Sequence, residues 1–141
     1  PKWIDNDKDG EFSNEAKTLI PDTIVIDKDI MIIYDAKYYC FENTRYFLKG
    51  QPGIESITKQ YLYQLAYKEF AEKNKIKTIR NCFIIPTEEN EVIKKGRVEL
   101  NILGNLGLES IKVLLLPATQ IYQLYLSNKK YINISDQLNY L

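Results

Sequence analysis

Asp22, Asp35 and Lys37 are the residues of this sequence whose types and spacing could do chemistry. They lie in "IPDTIVIDKDIMIIYDAKYYC", residues 20–40, where two runs of branched apolar residues flank a short polar turn, the pattern of a β-hairpin. A strand packed on a core would want a hydrocarbon where each aspartate stands. If Lys28 and Asp29 make the turn, Asp27 opposes Ile30, Ile26 opposes Met31, Ile24 opposes Ile33, and Asp22 opposes Asp35. Side-chain alternation then puts Asp22, Ile24 and Ile26 on one face with Met31, Ile33, Asp35 and Lys37. Opposed Cβ atoms lie about 4.5–5.5 Å apart, and like charges there destabilise a sheet unless a cation sits between them. Lys-Asp is not a favoured two-residue turn, and a longer loop would shift the pairing.

Two carboxylates at that separation suit an oxygen-seeking divalent ion such as Mg²⁺, with Mn²⁺ as a substitute. Such an ion acidifies a bound water and neutralises charge on a phosphoryl oxygen. Lys37 would orient that water or stabilise the transition state. The chain has no histidine. Ser-His-Asp and Cys-His catalysis and histidine-metal sites are therefore excluded within it, and its chemistry must run on carboxylates, amines, hydroxyls and bound metal. The blander alternative is that Asp after Pro is turn chemistry and Asp-x-Lys decorates an edge strand.

Several elements must position these groups. "GQPG" at 50–53 is a turn signal. From about Glu55 to Asn74, apolar Leu62, Leu65, Ala66 and Phe70 recur at helical spacing, which predicts one long amphipathic helix with those residues on its apolar side. "KIKTIRNCFIIP" (75–86) reads as a strand stopped by Pro86, "RVELNILG" (97–104) as an alternating strand, and "IKVLLLP" (111–117) as a buried one. Pro117 suits the first position of a helix running to about Ser127, and "SDQLNYL" reads as a last turn capped by Ser135. Strands alternating with helices indicate an α/β fold with a mixed sheet.

The 141 residues suffice for one domain, and 45% hydrophobic with 27% charged residues is ordinary for a globular protein. The opening Pro1-Lys2-Trp3 lacks an initiator Met, so residues 1–141 are expected to be the C-terminal fragment of a longer chain. No apolar run approaches the length of a membrane span and no secretory signal opens the chain, so no membrane association is expected. Nineteen basic residues balance nineteen acidic ones, which argues against a non-specific basic coat but leaves a local basic groove open. Cys40 and Cys82 stand apart in apolar runs and read as buried free thiols of a reducing, cytoplasmic compartment.

Pro21-Asp22 followed by Asp35-Ala36-Lys37 resembles the PD-(D/E)xK nuclease signature. "KQYLYQLAY" (59–67) resembles the glutamine-bearing helix that follows the Asp-x-Lys strand in several branches of that superfamily. The whole string, "PD", "DAKYY", "PG" and "KQYLYQLAY", over residues 19–70, is most similar to LlaJI/McrC-type restriction endonuclease subunits. The resemblance implies a restriction-endonuclease-like fold, a mixed sheet of four or five strands flanked by helices, and Mg²⁺-dependent DNA cleavage. It implies Asp22, Asp35 and the Ala36 carbonyl as metal ligands and Lys37 as the catalytic lysine. Gln64, with Gln60 and Tyr67, would support the site or contact the DNA backbone. Glu15 is the candidate for an additional acid on a preceding helix. The implied partners are DNA and a separate McrB-like AAA+ GTPase.

"DNDKDGEFSNEA" (5–16) opens like a calcium-binding loop, with Asp5, Asp7, Asp9 and Gly10 in place. The bidentate Glu of such a loop is due where Ala16 stands, and Glu15 is one residue early, so a solvated acidic loop is expected. Two other classes remain beside a nuclease: a catalytically inactive copy of the fold serving as a DNA-binding or assembly module, and a calcium-binding or scaffold protein.

Overall fold

The apolar runs around Met31–Tyr34 and Ile111–Leu116 become the middle of a sheet covered on both sides, as parallel strands require. The computed structural model describes residues 19–39 and 50–129, together with the backbone of four two-residue strands. Those strands pair as Lys2–Trp3 with Asn14–Glu15 and as Glu42–Asn43 with Leu48–Lys49. The sheet consists of β1 (Thr23–Asp27), β2 (Ile30–Ala36), β3 (Thr78–Thr87), β4 (Ile93–Val98) and β5 (Ile111–Pro117). Its order is β1-β2-β3-β5-β4. The inner pairs β2/β3 and β3/β5 are parallel, and the edge strands β1 and β4 run antiparallel to their neighbours. The crossover from β2 to β3 carries α1 (Ile54–Ala66) and α2 (Lys68–Lys73), and α3 (Ala118–Leu126) follows β5. This is the mixed, helix-flanked sheet expected, with five strands.

The hairpin register is the one the two-residue turn predicts: Asp27 opposes Ile30, Ile24 opposes Ile33, and the ladder closes at Thr23 and Tyr34. Tertiary contacts explain why an unfavoured turn serves. Lys28 adopts φ 54°, while the Asp29 carbonyl accepts from the Lys77 and Thr78 amides at 2.8 and 3.3 Å. The Asp29 carboxylate also lies 2.7 Å from Lys77 Nζ. Both side chains are exposed, so the ion pair contributes little. The amides that start β3 thus help to hold the turn, and with it the register.

Three expectations need correction. The long helix breaks at Tyr67 into α1 and α2, and its core-facing side is not the leucine stripe. Gln60, Tyr61, Tyr63 and Gln64 are buried, whereas Leu62, Leu65, Ala66 and Phe70 are exposed. Apolar spacing misleads here because the helix lies on strand carbonyls that amide side chains can satisfy. β3 runs through Pro86 to Thr87, pairing Pro86 with Leu116 near the strand's end. The alternating strand is shifted back to 93–98, and Asn101–Leu106 forms a 3₁₀ turn.

Met31 and Ile33 of β2 pack with Tyr63, Ala71 and Ile76 on the α1/α2 side. Ile32 and Tyr34 face the other way, with Cys82, Leu114 and Leu116. Burial pushes the Cys82 thiol up to about 12, so it stays protonated and inert at neutral pH. Cys40, the acidic loop at 5–13 with Ala16, and the "SDQLNYL" tail lie outside the described residues. None of the described helices is long and apolar enough to cross a membrane. Replacing Ile33 by Ala removes a fully buried side chain from the strand that carries the site. It is expected to lower stability by about 2–5 kcal/mol, measured as a fall in the urea midpoint with little change in slope.

Candidate active site

β2 is an inner strand, and its last residue but one is buried. That residue is Asp35, 3% exposed. A buried carboxylate must be paired or must lose its charge. Lys37 reaches back from two residues along, with Nζ 2.5 Å from Asp35 Oδ2. The approach is not angled for a hydrogen bond, and among the described residues that buried oxygen has no hydrogen-bond partner. Lys37 is itself well covered: its ammonium lies 5.9 Å from the Phe83 ring centroid, and its amide donates to Ile84 O at 2.8 Å, extending the parallel ladder by one residue.

Asp22 stands one residue outside the β1/β2 ladder, in a bend. Its Oδ2 accepts from the Ala36 amide at 2.8 Å. The hairpin therefore delivers Asp22 to the backbone beside Asp35 through a side-chain bond, not through a ladder pair of the two acids. Tyr63 of α1 fixes the approach: its hydroxyl donates to Ile20 O at 2.7 Å, two residues before Asp22.

Gln60 and Gln64 are both buried. Gln60 Nε2 donates to Ile33 O at 2.9 Å and to Asn81 Oδ1 at 3.4 Å. Asn81 Nδ2 donates to Gln64 Oε1 at 3.0 Å, and Gln64 Nε2 donates to Ile79 O at 3.1 Å. The amides thus bridge α1 to β2 and β3, and Gln60 grips β2 two residues before Asp35. Tyr67 marks the break between α1 and α2 and packs with the Met31–Ile33 cluster. Glu15 is described only through its backbone pairing with Lys2, in a two-residue strand and not a helix.

Three residues at or beneath the site escaped the sequence reading: Tyr63, Asn81 and Lys59. The Lys59 ammonium is 5.5 Å from the Tyr63 ring centroid. Its pKa is held above the ordinary lysine value, first by a hydrogen bond to the Tyr63 side chain, and also by the negative fields of Asp35 and Asp22, against some loss of hydration. The only available signal was position, next to Gln60 and one turn before Tyr63.

Asp22 and Asp35 are hard oxygen donors of the kind Mg²⁺ or Mn²⁺ takes, and the buried Asp35 Oδ2, ion-paired with Lys37 but without a hydrogen bond among the described residues, is an acceptor that such an ion would also satisfy. Among the described residues no three carboxylate, cysteine or histidine side chains cluster, so further ligands would be backbone, water or substrate oxygens. A largely apolar cleft of about 410 Å³ lies behind the site, lined by Ala36, Lys37, Tyr38, Tyr122 and Tyr125 among others. It holds neither acid.

The model of the LlaJI restriction endonuclease family matches residues 1–128. The chain belongs to the LlaJI restriction endonuclease family. Among curated proteins it is similar to a component, YdjA, of the type II restriction enzyme BsuMI of Bacillus subtilis strain 168, 36% identical over 137 residues. That match covers 93% of this chain and 28% of the relative, so the chain spans just over a quarter of the relative's length. No solved structure matches the chain significantly. In this LlaJI-family chain the glutamine network holds the helix on β2 and β3. Asn81→Leu would take the donor from the buried Gln64 Oε1 and leave Gln60 Nε2 with Ile33 O alone. It is expected to cost roughly 1–3 kcal/mol of stability in urea unfolding, more than the same change at an exposed asparagine.

Proposed function

We propose that this chain is the nuclease part of a restriction system, a Mg²⁺-dependent DNA endonuclease that hydrolyses phosphodiester bonds. The observation that carries the reading is the end of β2. A buried carboxylate, Asp35, is paired with Lys37 two residues on, and Asp22 is tied to the intervening Ala36 amide, in a member of a restriction endonuclease family.

Asp22 and Asp35 would hold the ion, with the Ala36 carbonyl as a backbone ligand. When bound, the ion supplies acidification of a water and charge neutralisation at a phosphoryl oxygen. Lys37, freed from sole duty as counter-ion to Asp35, is then available to the attacking water and to the negative charge that develops on the phosphorus oxygens. Phe83 and the Ile84 carbonyl restrict where its chain can go. With no histidine in the chain, Lys37 is the side chain that would orient a water in place of an imidazole base. Gln64, through Asn81, and Gln60 keep the helix on β2, and Gln64 belongs to the catalytic constellation in that supporting role.

A McrB-like AAA+ GTPase is the proposed partner, working on DNA with the nuclease in the cytoplasm. The support is the family resemblance, and the relative's description as one component of a restriction enzyme accords with a divided assembly. The 141 residues are proposed to form a single nuclease domain within a longer protein.

Supercoiled plasmid incubated with the full protein, with and without the GTPase, is expected to be cut in Mg²⁺ and spared in EDTA. Asp35→Asn and Lys37→Ala should each lower cleavage on the order of a hundredfold or more while the circular dichroism spectrum is retained. A folded protein that binds DNA but cuts it under none of these conditions would be the inactive module instead.

A further inference from the structure

The cleft behind the site begins at the strand end that carries the site. Asp35 stands opposite Phe83, whose cluster includes Tyr61 of α1, whereas Ala36 stands opposite Ile84, which packs with Leu114 and Leu116 on the other face of the sheet. The end of β2 therefore turns a carboxylate to one face and a cleft of about 410 Å³ to the other. Ala36 and Lys37 line that cleft, and α3 contributes Ile121, Tyr122 and Tyr125.

Its surfaces are of two kinds. Leu116 is buried and Ile84 and Ile121 are half-buried, so aliphatic groups make the floor. Tyr38, Tyr122 and Tyr125 are 89%, 64% and 79% exposed, so phenol rings make the rim. Among the described residues that line the cleft, Lys37 carries the only charge, and no carboxylate is there to repel a phosphate chain. Exposed rings around an aliphatic floor suit a flat ring with polar edges, whose face can stack while its edge reaches the phenol hydroxyls. The volume lies in the range of pockets that take small organic ligands. A protein segment seated here would lie against Ala36 and Lys37 and obstruct the strand end that the substrate must reach. DNA brings flat rings to that place in any case.

We propose that this cleft receives an unstacked nucleobase of the DNA, from a nucleotide flanking the phosphate attacked at Asp22 and Asp35. The assignment rests on the nuclease reading above and adds to it the form of the substrate. A base must leave its stack to enter, which costs least where it is unpaired or mismatched. The cleft therefore favours DNA opened beside the cleavage point over an intact duplex. Tyrosine faces stack on any base, so the preference is for an open structure and not for a sequence.

The test compares, in Ca²⁺, the affinity of the full protein for an oligothymidine strand and for an abasic strand with the same number of phosphates. The wild type is expected to prefer the thymidine strand roughly ten- to a hundredfold, the worth of one stacked base. The double variant Tyr122→Ala/Tyr125→Ala, changed only at exposed positions of α3, should lose most of that preference with its circular dichroism spectrum unchanged. Tyr122→Phe/Tyr125→Phe, which keeps the rings, should retain it. No preference in the wild type, or an undiminished one in the alanine variant, would overturn the proposal. An undiminished preference together with lost thermal stability or lost self-association would assign the cleft instead to another stretch of this chain or to a second copy. Protein that cuts plasmid in Mg²⁺ but shows no preference between the strands sinks this assignment alone. Protein that cuts nothing, with or without the GTPase, sinks the nuclease reading and this assignment with it.

Discussion

A carboxylate buried at the end of an inner strand is the constraint on which the rest of this structure depends. Asp35 is buried opposite Phe83 of β3, in surroundings where an isolated charge is costly. Each nearby feature compensates for it. Lys37 supplies charge from the same strand, while Asp22 occupies the adjacent Ala36 amide without entering the core. Among the described residues, Asp35 Oδ2 is still left without a hydrogen bond. An arrangement built only for stability would gain by placing a hydrocarbon there, since apolar replacement of buried ion pairs is often neutral or stabilising. Retaining the acid makes sense as provision for a cation.

The helix over the site follows the same logic. α1 turns two glutamines and two tyrosines toward the sheet, with both amides on strand carbonyls and the Tyr63 hydroxyl on Ile20 O. These bonds are directional where apolar packing is not, so they fix the height and rotation of the helix relative to β2 and β3. Tyr61 does the same at the far side, accepting from the Leu100 amide at 3.3 Å and donating to Val98 O at 3.4 Å. A site assembled from a bend and a strand end beneath a helix needs such control of relative position.

Much of this was legible in the sequence. The hairpin register could be derived because alternation and a two-residue turn leave little freedom once the turn is placed, and β5 could be read from an unbroken apolar run. What could not be read depended on tertiary partners. Leu62 and Leu65 look like a core stripe until the helix is seen to bury Gln60 and Gln64, a choice set by carbonyls on β2 and β3 that are remote in sequence. The meeting of Asp22 with the Ala36 amide, where a ladder partner for Asp35 was expected, arises from a bend one residue before β1. Asn81 carries no motif at all and becomes visible only through its hydrogen bonds to Gln60 and Gln64.

The central claim is that Asp22 and Asp35 jointly hold one divalent ion. Electron paramagnetic resonance of Mn²⁺ titrated into the protein tests it directly, because bound and free ion give separable signals. The account predicts one bound ion per chain in the wild type and loss of that ion in both Asp22→Asn and Asp35→Asn. An ion bound equally well by either variant, or none bound by the wild type, would contradict it.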